Sequence, residues 1–502
     1  MTTSEDFILT IDVSSNKIKA GLVSDTLKLK SSLSQDLKII NEDVDGFAKR
    51  FDMDDMWYKL KLLISQLLTH RTKNSNIIGI SSCAQRMAVV FIDKKGEAIY
   101  GGPNTDVRGI DSAYLIEDEF SEEELFQITG HSPSILFCLS RLLWFKEEEK
   151  LYDKIDKVLM LDDWIVNKLT GEVCSDLSSA GESQFLDIKK ANWSLEIIEA
   201  FDINPDLFPE ILDSGAIAGE LTPELVQYFN IKQNSIPVIK TGGDTQATLI
   251  GMGVIEDGNI GISLGTTAPV HLVVNKPILD RNYNFWTTFH SIKGKWLIEA
   301  NSGNTGIVYD WLKNNILSDK INNKDELIDT YLREVEPGSD STFAFLGPEF
   351  MNIKDQTSLK RGVFVFPPPT LITESLPRIA NLAQSVIENI CFGINENYIE
   401  LKKFSNFEVN LYSAGGMAKS HEFCKILVNV LNQDIRVPQC EDSAFIGCAM
   451  NTLIGLALYQ DYKKILDELI KFKKFTIDDE ISSKYKKIFR EWKNLKNKIS
   501  DL

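Results

Sequence analysis

Two stretches far apart in the chain share one design, and that repetition constrains the fold more than any other feature. Residues 7–11 (Phe-Ile-Leu-Thr-Ile) are a short apolar run that predicts a buried strand. Asp12-Val13-Ser14-Ser15-Asn16 predicts a turn, and residues 18–23 a return strand. The same order recurs at residues 260–264, at the turn Gly265-Thr266-Thr267 and at residues 269–274. Each half thus opens with a hairpin whose turn carries small hydroxyl residues. Two such turns facing across a cleft can hold one polyphosphate from both sides, since exposed N–H groups make anion-binding concavities.

Just before the second hairpin stands Thr241-Gly242-Gly243-Asp244-Thr245-Gln246. It places an acid on a Gly-rich turn between the apolar run 236–239 and a predicted helix over 245–252. The helix dipole favours an ionised carboxylate there. Such a carboxylate can take the proton of a hydroxyl as its oxygen attacks phosphorus. Asp is also a common helix cap, so position alone leaves both roles open.

Gly415-Gly416-Met417-Ala418-Lys419-Ser420 falls between a predicted strand (408–412) and a predicted helix (418–432). It is neither a dinucleotide fingerprint nor a Walker loop, which argues against a dehydrogenase or a P-loop enzyme. A Gly-rich turn admits a ligand close to the backbone, and it also serves as a plain connection. Gln85-Arg86 follows a predicted strand over 77–81, and Asn104-Thr105-Asp106-Val107-Arg108 follows Gly-Gly-Pro. These side chains suit sugar hydroxyls or simply a polar surface. Asp12 suits Mg²⁺, a hard cation that prefers carboxylate oxygen, or forms the turn.

Around these motifs, strands and helices alternate. Met56, Leu60, Leu63, Ile64 and Leu67 give residues 54–68 a helical rhythm. A strand is expected at 89–92, helices at 140–151 and 158–169, a long amphipathic helix through Leu382 and Ile394, and a helix at 443–458. The Lys-rich tail (463–497) predicts a solvated helical face, and the acidic, Asn-rich stretch 318–328 a surface segment. Alternation of this kind indicates α/β architecture. With 502 residues and 43% apolar content, two large domains are expected, and Gly251, Gly253 and Gly258 set their boundary, giving 1–252 and 253–502.

A net charge of −18 argues against a general nucleic-acid or anionic-membrane binder. The polar start lacks signal-peptide regions, and no apolar run is long enough to span a bilayer. Seven scattered cysteines form no C-x-x-C pair, and the five histidines have no metal-ligand spacing. Reduced thiols and a cytoplasmic location are the expectation.

The order of the motifs resembles the FGGY family of carbohydrate kinases over residues 7 to about 458. Residues 11–19 resemble the first phosphate motif, and Asp106-Val107-Arg108 the end of a W-x-D-x-R segment. Asp163-Trp164 through Leu169-Thr170-Gly171-Glu172 and Asp176 resemble the L-T-G-E region, and Gly242-Gly243-Asp244 the G-G-D of the catalytic base. Residues 263–267 resemble the second phosphate motif, residues 415–420 the adenosine motif, and residues 441–449 a C-terminal helix.

The resemblance implies two ribonuclease-H-like domains of the actin-like ATPase type with a cleft between them. The first domain would bind sugar and the second nucleotide. ATP and Mg²⁺ would be required, the acceptor would be a small sugar or polyol, and a homodimer stays open. It makes Asp244 the base. Gln85, Arg86, Asn104, Asp106, Asp244 and Gln246 would contact substrate. Ser14, Ser15, Asn16, Gly265, Thr266, Thr267, Gly306, Asp310, Gly415, Gly416 and Lys419 would contact ATP, and Asp12 the metal.

Two positions depart from the family pattern: Ser14 replaces the Gly of D-x-G-T, and Asn104 the Trp of W-x-D-x-R. If the first turn needs positive φ, Ser14 is costly there. Within the family, the 104–108, 163–164 and 243–246 segments are most similar to the autoinducer-2 kinase branch. Gln85-Arg86 is similar to the glycerol kinases, where an acid stands in place of Met87; xylulose kinases are a further relation. The alternative reading is a catalytically impaired homologue acting as an ATP-binding sensor or ATPase.

Overall fold

The N-terminal hairpin is the centre of a six-stranded sheet. Its strands are β1 (Asp6–Val13), β2 (Lys17–Ser24), β3 (Leu29–Asp36), β4 (Asn76–Ala84), β5 (Ile217–Glu220) and β6 (Pro237–Gly243), in the order β5-β6-β4-β1-β2-β3. Strands β1, β2 and β3 run antiparallel in sequence, and β1, β4 and β6 run parallel. β1 and β4 are buried along almost their whole length, as expected where both faces of a sheet are covered.

The second hairpin seeds a seven-stranded sheet by the same rule. It comprises β7 (Asn259–Leu264), β8 (Pro269–Val274), β9 (Trp286–Phe289), β10 (Trp296–Asn301), β11 (Asn410–Gly415), β12 (Ile435–Pro438) and β13 (Phe472–Phe475), ordered β9-β10-β8-β7-β11-β12-β13. Again the first hairpin and the strand beyond it are antiparallel, and β7, β11 and β12 are parallel. One topology therefore occurs twice, giving the expected α/β chain of two similar lobes.

The computed structural model describes residues 6–71, 75–149, 151–317, 323–351, 361–369, 376–405 and 408–499. The polar start (1–5) and residues 318–322 of the expected surface segment lie outside them. The remainder of that segment enters the helix Lys324–Glu334, whose Ile328 is buried in the second lobe's core.

Helix α1 (Met53–Leu68) buries the predicted apolar stripe against the first sheet. The expected helix over 158–169 divides. Lys157–Met160 is a strand paired antiparallel to Val89–Ile92, and helix α2 (Leu161–Thr170) begins only afterwards. An apolar run of this length fits either state, and the free edge of Val89–Ile92 takes it as strand. The expected helix over 140–151 is α-helical only across Cys138–Trp144 and continues as a π-turn over Phe145–Glu149.

Helix α3 (Asp244–Met252) leaves the first sheet. In the second lobe, helix α4 (Thr305–Trp311) follows β10, and α5 (Ile379–Leu401) is the long amphipathic helix, sheathed on nearly every side. Helix α6 (His421–Leu431) follows β11, and helix α7 (Ser443–Gly455) returns to cross α3. At that crossing Gly251 faces the Ser443 carbonyl and Gly447 faces the Ala247 carbonyl, so close that any Cβ would collide. α7 also packs on the first sheet, where Ser81 Oγ donates to the Cys448 carbonyl at 3.0 Å.

The Lys-rich tail is not only a solvated face. It supplies β13, and helix α8 (Asp479–Ile499) buries Tyr485 and Trp492 in the second lobe's core. Among the described residues no helix is long and apolar enough to cross a membrane. All seven cysteines are free, and six of them are buried.

Candidate active site

Parallel strands deliver their C-terminal ends to a common edge, and in open α/β sheets that edge is where ligands bind. In the first lobe Asp12 lies level with Cys83, and both Val13 and Gly243 lie level with Ala84. Asp12, Gln85 and Asp244 therefore emerge side by side from three neighbouring strands. In the second lobe Leu264 lies level with Gly415, so the Gly265-Thr266-Thr267 turn and Gly416 emerge together. A cavity of about 480 Å³ joins the two edges, lined by Asp12, Ser14 and Asp244 from one lobe and Ser263, Gly265 and Gly416 from the other.

Both hairpin turns are compact and open to this cleft. Ser14 N–H and Oγ both donate to the Lys17 carbonyl, and Ser15 and Asn16 are exposed. Ser14 is not among the described residues with positive φ. The cost anticipated for its replacement of Gly is therefore absent, because this turn closes in ordinary backbone space. In the second turn Gly265 N–H donates to the Thr267 carbonyl, and Gly306 N–H, at the start of α4, donates to the Thr266 carbonyl. Gly415 has φ +119° and lies so close to the Leu264 carbonyl that a Cβ would collide, whereas Gly416 faces open space.

Asp244 is the first residue of α3 but not its cap; Gly243 holds that place. The carboxyl is half-buried and accepts a bond from Thr245 Oγ1 at 3.3 Å. Desolvation pushes it up to about 7, the nearby Asp12 carboxylate adds to the rise, and Arg86 opposes it. The expectation that the helix dipole would favour the charged form is thus reversed, because desolvation and a like charge outweigh it. Asp12 is also raised by burial, against the pull of Lys19. Lys19 Nζ bonds Asp12 Oδ2 at 2.7 Å and reaches Asp442 of the opposite lobe at 3.4 Å, while Asp12 Oδ1 has no partner.

On the other side of Asp244, Arg86 is held by two carboxylates. It donates to Glu299 at 2.5 and 2.8 Å and to Glu182 at 3.1 Å, with its own side chain only 10% exposed. Burial opposes its charge, but Glu182 and Glu299 outweigh that and hold it firmly protonated. His271 lies 3.2 Å from Glu299, and His131 lies 3.9 Å from Glu182, its charge disfavoured by burial. Gln246 is buried beside this group and donates to the Phe289 carbonyl. Gln85 donates to the Ser14 carbonyl and accepts from Asn104 N–H, which ties the segment at 104 to the first hairpin turn.

Asp106 departs from its expected role. It is fully buried and accepts from Lys49 N–H, Arg108 and the Tyr100 hydroxyl, so its oxygens are consumed within the lobe rather than offered to a substrate.

A second cavity, of about 760 Å³, opens beside the second turn. Gly306, Asp310, Gly416 and Lys419 line it together with Tyr309 and Arg333. Of the ATP-side residues expected from sequence, Ser14, Gly265, Thr266, Gly306, Asp310, Gly415, Gly416 and Lys419 line one or both of these adjoining cavities, whereas Ser15, Asn16 and Thr267 line neither. Glu182, Glu299, His131, His271 and Lys240 escaped the sequence reading. Only Lys240 carried a local signal: a cation at the end of an apolar strand run.

Two lobes of one topology thus bring a raised carboxyl and both hairpin turns to one cleft. The family model for the N-terminal domain of FGGY carbohydrate kinases matches residues 7–251, and that for the C-terminal domain matches residues 260–456. The chain belongs to the FGGY family of carbohydrate kinases and is a phosphotransferase acting on sugar hydroxyls; sugar kinases of this family use ATP.

The chain is 25% identical over 483 residues to the autoinducer-2 kinase of Yersinia enterocolitica, covering 94% of this chain and 90% of that protein. Its fold matches ligand-bound xylulose kinase from Lactobacillus acidophilus with a TM-score of 0.86 at 19% identity, over 99% of this chain and 98% of the other. It matches Plasmodium falciparum glycerol kinase with ADP at 0.83 and 19%, over 97% of each chain.

Proposed function

We propose that the protein transfers the γ-phosphate of ATP to a hydroxyl of a small neutral sugar or polyol, with Asp244 as general base. The observation that carries this reading is the position of Asp244. Its carboxyl, raised to about 7, stands between the cavity shared by both hairpin turns and the Arg86 cluster. A base poised near the working pH is both ionised in useful amount and able to hold a proton. As the acceptor oxygen bonds to phosphorus, its proton passes to Asp244, and the bridging P–O bond breaks with its electron pair leaving on ADP.

The lobe of residues 1–252 would take the acceptor and that of 253–502 the nucleotide. Engagement of Arg86 by two carboxylates supports a neutral acceptor, because little of its charge remains for a sugar acid. Asp12 fits a hydrated Mg²⁺: it offers one unpartnered oxygen at the cavity wall, the hard donor such an ion prefers. When bound, that ion would neutralise phosphate charge. The exposed turn residues Gly265, Thr266 and Gly416 line the wall where phosphate oxygens would lie, and the 760 Å³ cavity suits the nucleoside.

The test is ADP release from ATP and Mg²⁺ with glycerol, erythritol, xylulose, ribulose, gluconate and the autoinducer-2 precursor, beside Asp244→Asn. One neutral acceptor giving Asp244-dependent release is expected. Release with no acceptor, or none despite ATP binding, would replace this reading with an ATP-binding sensor or ATPase.

A further inference from the structure

Strand β6 carries Lys240 four residues ahead of Asp244, and that lysine is completely buried. Its ammonium donates to Asp162, to Asp163 at 2.5 Å and to Asp176 at 3.4 Å. One oxygen from each of these aspartates lies within 4.8 Å of the others, the donor set of a hard cation. Here the ammonium fills it. Burying such a group is expensive, and an apolar strand end would be cheaper. Its placement therefore calls for a role beyond stability.

The bonds around it run toward the base. Asp176 Oδ2 accepts from Ser178 N–H at 3.1 Å, Ser178 Oγ at 2.6 Å and Ser214 Oγ at 2.6 Å. Ser178 Oγ in turn accepts from Gly243 N–H at 3.4 Å. Gly242, at φ +98°, is pressed so close to Ser178 and Asp176 that a Cβ would collide with both. Ser291 Oγ, from the opposite lobe, donates to the Thr241 carbonyl at 3.1 Å. Every residue from 240 to 243 is thus fixed, and the next is Asp244. Among the described residues the Asp244 carboxyl is bonded only by the following residue, Thr245, so it goes where its backbone goes.

We propose that Lys240 is a positioning residue: an internal cation that gathers Asp162, Asp163 and Asp176 and, through Ser178, fixes the strand end that aims Asp244. The inference rests on Asp244 being the base. Three variants test it: Lys240→Met, Lys240→Met/Asp163→Asn and Ser178→Ala. Each is read by melting temperature, ATP affinity, kcat and KM on the best acceptor of the panel, and amide exchange over residues 241–245.

Lys240→Met should melt lower, and adding Asp163→Asn should restore much of that loss by removing a buried charge. Its kcat should stay about 100-fold down, the scale of an ångström-sized misplacement, with ATP affinity within about twofold. Ser178→Ala keeps all four charges, and should lose about tenfold in kcat and speed exchange over 241–245. Recovery of kcat together with melting temperature in the double variant would overturn the proposal, as would unchanged kcat and exchange in Ser178→Ala. The latter decides the matter if Lys240→Met does not fold. Full turnover by Asp244→Asn would overturn the base assignment and this inference with it, and needs no Lys240 variant to be seen. The exchange readout depends on no turnover at all.

Discussion

The two walls of the cleft are built from opposite materials. On the side proposed for the acceptor, Arg86 with Glu182 and Glu299, and Lys240 with its aspartates, are charges withdrawn from water, one cation shared by two or three carboxyls. On the side proposed for the nucleotide, Gly265, Thr266, Gly416 and Lys419 are exposed, and the wall consists of turns and backbone. The first wall is rigid and costly; charges of this kind hold only if all their partners stay. The second, as the proposed nucleotide wall, would meet a multiply charged ligand with turns that bury no side-chain charge. Asp244 stands at the seam, where burial and the Asp12 carboxylate raise its pKa and Arg86 opposes the rise.

The largest break in this comparison is at the seam itself. Asp244→Asn should lower kcat by about 1,000-fold, within the range for losing a general base, and leave ATP affinity within about twofold. Coupled ADP release and calorimetry would check both. The sign of the pH effect follows from the raised value: below about 7 the base is protonated, so kcat should rise about tenfold per pH unit and level off above it. A plateau reached near pH 4 instead would mean that Asp244 is not desolvated in the working enzyme.

Next in size is the acceptor wall. Arg86→Met leaves Glu182 and Glu299 without their shared cation, and should cost about 3–5 kcal/mol in denaturant unfolding. Arg86→Met/Glu299→Gln should regain part of that stability, because one uncompensated charge is gone, while acceptor KM stays raised. Equal stability of the single and double variants would show that the cluster is screened by water.

The contrast between the walls also explains what the sequence could reveal. The turns are local: each hairpin turn, Gly415-Gly416 and the G-G-D run is read within a few residues, and each falls at the strand end the sequence predicts. The acceptor wall is assembled across the chain. Arg86 and Glu299 are 213 residues apart, and Lys240 and Asp162 are 78 apart, so neither periodicity nor turn chemistry signals them. The family resemblance makes Asp106 a substrate ligand, whereas its partners Lys49, Tyr100 and Arg108 come from other segments or from the same loop and carry no signal in sequence. Residues 158–160 suit a helix in sequence and form a strand in the fold because their partner, Val89–Ile92, lies far earlier in the chain.

On the nucleotide side, a smaller pair of changes separates backbone need from ligand contact. Gly415→Ala adds a Cβ against the Leu264 carbonyl at a φ of +119°, and should cost about 1–3 kcal/mol with a raised ATP KM. Gly416→Ala meets open space, and should leave stability within about 0.5 kcal/mol while still raising ATP KM. Equal stability losses at the two positions would mean that both glycines serve packing.

The smallest effect is expected at the residue that looked most damaging in sequence. Ser14→Gly restores the usual family residue at the first phosphate turn. The native turn does not use positive φ there, so glycine relieves no strain. It removes the Oγ bond to the Lys17 carbonyl at 3.3 Å and adds freedom to the unfolded chain, which together should cost about 0.5–1 kcal/mol. ATP KM should change by less than about twofold, because the turn keeps the N–H to Lys17 bond that sets its shape. A tenfold gain in ATP affinity would mean that the turn adopts positive φ only when phosphate binds, and that Ser14 opposes that step.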